Sequence, residues 1–141
     1  MSPRALGLDV GDRRIGVAIS DPEGLIAVPL TTVQKRDAEA AALAVADIVR
    51  KNEVGSIVVG LPALLSGEIG EQARKVEEFV ERLKPHLSVP VEWWDERLST
   101  VAAEKMMRET GATRVRRDAN RDALAAALVL QAYLDSKRIQ G

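Results

Sequence analysis

The sequence predicts an α/β domain built on a mixed five-stranded sheet with helices on both faces. Three observations carry that prediction. Apolar residues alternate at the start of the chain, with Leu6, Leu8 and Val10 set against Gly7 and Asp9, and again at Ile15, Val17 and Ile19. Gly11-Asp12-Arg13-Arg14 between them suits a tight turn, which makes these two strands antiparallel neighbours. From Asp37 onward helical and strand patterns alternate, an order that calls for parallel strands with crossover helices.

Each element has its own signal. Asp21-Pro22-Glu23-Gly24 is a turn, with Pro at its second position and Gly at its last. Ile26 to Thr32 reads as a third strand, interrupted or ended near Pro29 and therefore at an edge. Asp37 caps an alanine-rich helix to Lys51, with Leu43, Ile48 and Val49 at helical spacing and Gly55 after its end. Ser56 to Val59 is a short apolar run, the mark of a strand buried on both faces, and Gly60-Leu61-Pro62 stops it. A loop containing Ser66, Gly67 and Gly70 leads to a helix from Glu71 to Lys84, striped by Val76, Phe79, Val80 and Leu83. Pro85 and Pro90 bracket a linker, and Val91 to Trp94 is the fifth strand. Ser99 or Thr100 caps a helix to about Thr110, ended by Gly111. Thr113 to Ala119 is a polar, basic loop, and Asn120 caps a last, largely buried helix to about Lys137.

Composition narrows the function classes. At 141 residues, 46% hydrophobic and 29% charged, residues 1–141 are expected to form one domain with a sizeable core. The absence of cysteine excludes a disulfide or thiolate metal site and fits a reducing cytoplasm. No apolar run approaches a membrane span, and Met-Ser-Pro-Arg before a strand is no signal peptide. A net charge of −1 argues against a general nucleic-acid coat. Its distribution is uneven, since Lys105, Arg108, Arg114, Arg116, Arg117 and Arg121 follow Arg97 against few acids.

Three acids stand where elements begin or end. Asp9 closes the first strand between Leu8 and Val10, where a carboxylate is costly to desolvate unless paired or holding a cation. Glu96 lies just past the fifth strand, and Asp122 in the first turn of the last helix. Each has a simpler reading: turn amides for Asp9, a pair with Arg97 for Glu96, the helix dipole for Asp122. Their coincidence at the carboxyl rim of one sheet is the informative part, because ligands of open α/β sheets gather there. Carboxylates without His or Cys partners suit Mg²⁺ or Mn²⁺, and two such ions can drive phosphodiester cleavage. His86 reads as a surface residue, and of the adjacent Trp93 and Trp94 one faces the core while the other is open to a base or a partner.

The motifs Leu-Asp-Val-Gly-Asp-Arg-Arg-Ile-Gly-Val-Ala-Ile-Ser-Asp (8–21), Val-Val-Gly-Leu-Pro (58–62), Asp-Glu-Arg-Leu-Ser-Thr (95–100) and the run from Asp122 to Leu134 resemble the YqgF/RuvX family over essentially the whole chain. The resemblance implies an RNase H-like fold of strand order 3-2-1-4-5. It also implies Asp9, Glu96 and Asp122 as catalytic and metal-holding acids for Mg²⁺ or Mn²⁺. The implied activity is endonucleolytic processing of the 5′ end of precursor 16S ribosomal RNA, with resolution of four-way DNA junctions as the alternative. Arg13, Arg14, Arg97, Arg114, Arg116, Arg117 and Arg121 are then the candidate phosphate contacts. The loop Ala-Leu-Leu-Ser-Gly after Gly-Leu-Pro and Arg121 before the last acid depart from the family pattern and leave the acids intact.

Two other classes compete. Asp-Val-Gly-Asp before a hairpin also resembles the phosphate loop of sugar kinases and actin-like ATP binders, which enclose nucleotide between two domains. A nucleic-acid-binding module in ribosome assembly could keep the fold without catalysis. The chain carries no heptad and no exposed apolar stripe beyond one tryptophan, so it reads as a monomer, or a homodimer if it resolves junctions.

Overall fold

A computed structural model describes residues 4–62, 70–98 and 119–140 of the chain. Strand β1 (Arg4–Val10) is central in a five-stranded sheet of order β3-β2-β1-β4-β5. It pairs antiparallel with β2 (Arg14–Ser20), which pairs antiparallel with β3 (Ala27–Gln34). On its other side β1 runs parallel to β4 (Val54–Leu61), and β4 parallel to β5 (Val91–Asp95). The expected mixed sheet is present in the expected order.

Alternation decides which residues meet which helices. Leu6, Leu8, Val10, Ile15, Val17, Ile57 and Val59 point to one face, where they join residues of α1 (Ala38–Lys51) and α2 (Glu71–Leu83) in the larger core. Full burial of a side chain such as Leu6 or Leu8 contributes roughly 1.5–3 kcal/mol. The opposite face presents Ala5, Ala18 and Val58 to α3 (Ala119–Gln140). Helices therefore cover both faces.

α3 reaches the sheet closely because small residues meet on both sides. A Cβ on Gly7 would stand 2.8 Å from the Leu130 Cβ and 3.0 Å from the Ala126 carbonyl oxygen. Gln131 anchors the helix laterally, accepting from the Ala27 N–H and donating to the Leu25 carbonyl at 2.9 Å each.

Several boundaries differ from the sequence expectation. α1 is capped by Asp37, whose Oδ1 accepts from the N–H of Glu39 and Ala40. It stops at Asn52 and the left-handed Glu53 (φ 53°), while Gly55 already belongs to β4. β4 runs through Gly60 to Leu61, since the pairing with β5 continues to Leu61–Asp95. β3 passes through Pro29 without ending; the register shifts there, and the missing N–H costs no ladder bond on an edge strand. α3 begins one residue before Asn120 and extends beyond Lys137.

The edge also corrects the expectation of no apolar stripe. Ile26 is 60% exposed, Val28 46% and Leu30 40%. The larger core draws its strand residues mainly from β1, β2 and β4, and Val33 is the β3 side chain packed against it. Of the two tryptophans, Trp94 packs edge-on to Tyr133 and Trp93 is exposed, as the alternation requires. The expected helix over 99–110 and most of the loops at 63–70 and 113–119 lie outside the described residues.

Candidate active site

Asp9 sits one residue from the end of β1 and is 6% exposed. It shares its face with Ala5 and Gly7, so its carboxylate projects on the α3 side, away from the large core. Its antiparallel partner is Gly16, and continuing the β1–β4 register by one residue sets Gly60 on its other side. Asp9 is thus the one side chain in a row flanked by two glycines. Both gaps are used. The α3 main chain enters the first, and the Glu96 side chain enters the second.

The first contact delivers Asp122. A Cβ on Gly16 would fall 1.8 Å from the Asp122 carbonyl oxygen, so the first turn of α3 lies directly on β2. The repeat distances explain the placement. Two residues of strand advance about 6.8 Å, and four residues of helix about 6 Å. The stripe Leu130–Ala126–Asp122 therefore keeps step with Gly7 and the Asp9–Gly16 pair, and Asp122 arrives level with Asp9. Arg14 Nε stands 2.8 Å from Asp122 Oδ2, both side chains being partly buried.

The second contact delivers Glu96. Glu96–Leu98 form a 3₁₀ turn directly after β5, and Glu96 is 3% exposed. A Cβ on Gly60 would meet Glu96 Oε1 at 2.9 Å and Cγ at 3.1 Å. Asp95 and Arg97 hold the turn from outside. The Arg97 N–H donates to Asp95 Oδ1 at 2.9 Å, and its guanidinium donates from Nε and from Nη2, the latter to Oδ2 at 2.7 Å. The Arg97 hydrogen bonds hold the Asp95 carboxyl below its ordinary value, and Asp95 in turn raises Arg97. With both neighbours paired at the surface, the side chain between them turns inward.

The three predicted acids thus share one face and one rim. Their chemistry is that of hard oxygen donors, which fits Mg²⁺ or Mn²⁺ in donor type. Among the described residues no three Asp, Glu or His side chains are grouped so that they could hold a metal ion together, and Asp122 is aimed at Arg14. Of the predicted cations, Arg14 faces Asp122, Arg97 faces Asp95, Arg13 is exposed on the β1–β2 turn, and Arg121 is partly buried beside Asp122 in sequence. Arg114, Arg116 and Arg117 lie outside the described residues. Gly16 and Asp95 are the site-forming residues without a sequence signal of their own, whereas Gly60, expected with Leu61 and Pro62 to stop its strand on this rim, lies inside β4 against Glu96. A glycine inside a strand is only a general signal, marking a close approach of another chain segment.

The mixed sheet and its strand order are those of an RNase H-like α/β fold, which solved resolvase structures share. The chain aligns over 96% of its length with 96% of Thermus thermophilus RuvC in complex with Holliday junction substrate, at a TM-score of 0.60 and 16% identity. It also aligns over 94% of its length with 99% of the fowlpox virus Holliday junction resolvase, at a TM-score of 0.53 and 10% identity. The chain belongs to the RuvX family, whose model, described as "Holliday junction resolvase", matches residues 3–136. Relatives named "Putative pre-16S rRNA nuclease" include one from Roseiflexus sp. at 44% identity, covering 96% of both chains. Another, from Chloroflexus aggregans, is 48% identical over 94% of both chains.

Proposed function

We propose that residues 1–141 form one nuclease domain that hydrolyses phosphodiester bonds with Mg²⁺ or Mn²⁺, and that it trims the 5′ end of precursor 16S ribosomal RNA in the cytoplasm. The observation that carries this reading is the convergence on Asp9 of two buried contacts, Glu96 over Gly60 and the α3 start over Gly16. Two desolvated carboxylates at one rim repel each other and favour a cation beside them. Asp9 and Glu96 would hold the metal, with Asp122 joining them once its carboxylate turns from Arg14, and the metal when bound would supply an activated water and neutralise charge on the leaving oxygen. Asp9, fixed on the central strand, sets the position of the site. Arg14 orients Asp122 at the rim of the sheet. Arg13, Arg97, Arg121 and the basic residues Arg114, Arg116 and Arg117 position phosphates without reading bases. The names of the relatives support RNA as the substrate, and one active site in a monomer is sufficient for a single cut near an RNA end.

The family description and one feature of the fold favour a second reading. A junction resolvase needs paired sites related by a two-fold axis, and the exposed apolar edge of β3 is a surface through which two copies could associate. Purified protein incubated with labelled precursor 16S RNA and with a four-way DNA junction, in Mn²⁺, decides between them. The expected result is a single cut near the RNA 5′ end, lowered by orders of magnitude in Asp9→Asn while the fold melts at an equal or higher temperature without metal. Paired symmetric nicks on the junction by a dimer would reverse the assignment. Full activity in Asp9→Asn would remove the metal-site reading altogether.

A further inference from the structure

Beside the acidic rim, an open cleft of about 910 Å³ lies between the β1–β2 turn and the β3–α1 junction, with Asp122 among its lining residues. Its walls are tied together. The Lys35 N–H donates to the Arg13 carbonyl at 2.8 Å, the Gly11 N–H to the Arg14 carbonyl at 2.8 Å, and Arg14 pairs with Gln34 across the strands. A Cβ on Gly11 would press to 2.9 Å from the Arg14 carbonyl oxygen, so the turn depends on glycine.

Charge in this cleft is unbalanced toward the positive. It is lined by Arg13, Arg14, Lys35 and Arg36 against Asp12 and Asp122. Both acids already have cations, Lys75 at 3.5 Å from Asp12 and Arg14 at 2.8 Å from Asp122. Lys35 is held in place: its Nζ donates to the Gly11 carbonyl at 3.3 Å and lies 5.7 Å from the centre of the Phe79 ring. Partial burial lowers its pKa, the sign of an ammonium short of solvent. Arg36 is exposed at the mouth.

We propose that this cleft is a phosphodiester-backbone subsite, in which Lys35 and Arg36 join Arg13 to hold the nucleic-acid strand as it leaves the acids at Asp122. The proposal rests on the nuclease reading and adds a path for the strand on the β2–β3 side of the site. The opening favours a chain over a single enclosed ion, and the cations offer charge-assisted bonds to phosphate oxygens. Recognition here is independent of sequence.

The test is binding of a fluorescent single-stranded RNA of roughly 12 nucleotides, by anisotropy in EDTA across a salt series. Lys35→Met keeps an unbranched stem over Phe79 while removing the charge, and Arg36→Gln changes an exposed side chain, so both variants should fold. Each should weaken binding about fivefold at 0.1 M salt and reduce the slope of log affinity against log salt by about 0.7. Lys35→Arg should restore both. Lys51→Gln, at the far end of α1, should change neither. An unchanged slope in both Lys35→Met and Arg36→Gln would overturn the subsite, and so would saturable binding of inorganic phosphate that requires Lys35 when RNA binding does not. Because the assay excludes metal, its failure with cleavage intact removes the subsite alone. Activity of Asp9→Asn with these salt slopes as expected removes the catalytic reading alone.

Discussion

Gly16→Ala tests most directly how the fold presents Asp122. The new Cβ would stand 1.8 Å from the Asp122 carbonyl oxygen and 2.3 Å from its carbonyl carbon, main-chain atoms that no rotamer change can move. The closer contact is short by about 1.6 Å of the 3.4 Å at which ordinary van der Waals contact begins, so the start of α3 must lift or β2 must bend. Overpacking in a closed site costs roughly 1–3 kcal/mol and occasionally more. A main-chain clash belongs at the upper end. For a domain of this length, about 3 kcal/mol lowers the thermal midpoint by roughly 9 °C. Gly60→Ala is the internal comparison. Its Cβ would meet the Glu96 side chain at 2.9 and 3.1 Å and Val129 Cγ2 at 3.1 Å, groups that can shift, so about 1 kcal/mol is expected. Thermal melts followed by circular dichroism give the ranking, and single-turnover cleavage gives the consequence for the site. Gly16→Ala should lose both stability and cleavage, with Asp122 carried away from the rim. A Gly16→Ala protein that melts and cleaves with the parent would refute the close approach of α3 to β2.

Three further outcomes follow from the same geometry. Mg²⁺ or Mn²⁺ should raise the melting temperature by mass action, by about 2.7 kcal/mol of stability at a hundredfold excess over the dissociation constant. The increase should shrink in Glu96→Gln and Asp122→Asn, and equal increases in all three proteins would place the cation elsewhere. The Asp95 carboxyl titrates below its ordinary value of 3.8 in the folded protein, so its contribution to stability is complete above that value and fades as pH falls toward the lower folded value. Urea unfolding should therefore show the parent's advantage over Asp95→Asn at neutral pH and its decline below the ordinary carboxylate range; a constant difference would deny Asp95 that role. Replacing Arg114, Arg116 and Arg117 together by alanine should reduce the salt slope of RNA binding by about 0.7–0.9 for each phosphate those arginines neutralise, and an unchanged slope would put the strand away from that segment.

Local chemistry made much of this protein legible in its sequence. Strand period two and helix period 3.6 are properties of the backbone, so Leu6-Leu8-Val10, Ile15-Val17-Ile19 and the stripe of α2 announced their elements and the faces they bury. Asp9, Glu96 and Asp122 stood out for the same reason, as charged residues at places where neighbouring residues predict burial or an element boundary. Packing between distant segments was not legible. Gly16 looks like an ordinary strand residue and Gly60 like a strand stop until Asp122 and Glu96, more than 30 residues away in the chain, occupy the space where their side chains would be. The partners of Arg14 and Arg97 were likewise undecided, because a guanidinium reaches several carboxylates and only the register of β2 under α3 and the 3₁₀ turn after β5 bring Asp122 and Asp95 within hydrogen-bond distance. The exposed apolar edge of β3 has the same origin. Residue pattern establishes that Val28 and Leu30 are apolar, while the reach of the helices packed on the sheet decides that they remain in solvent.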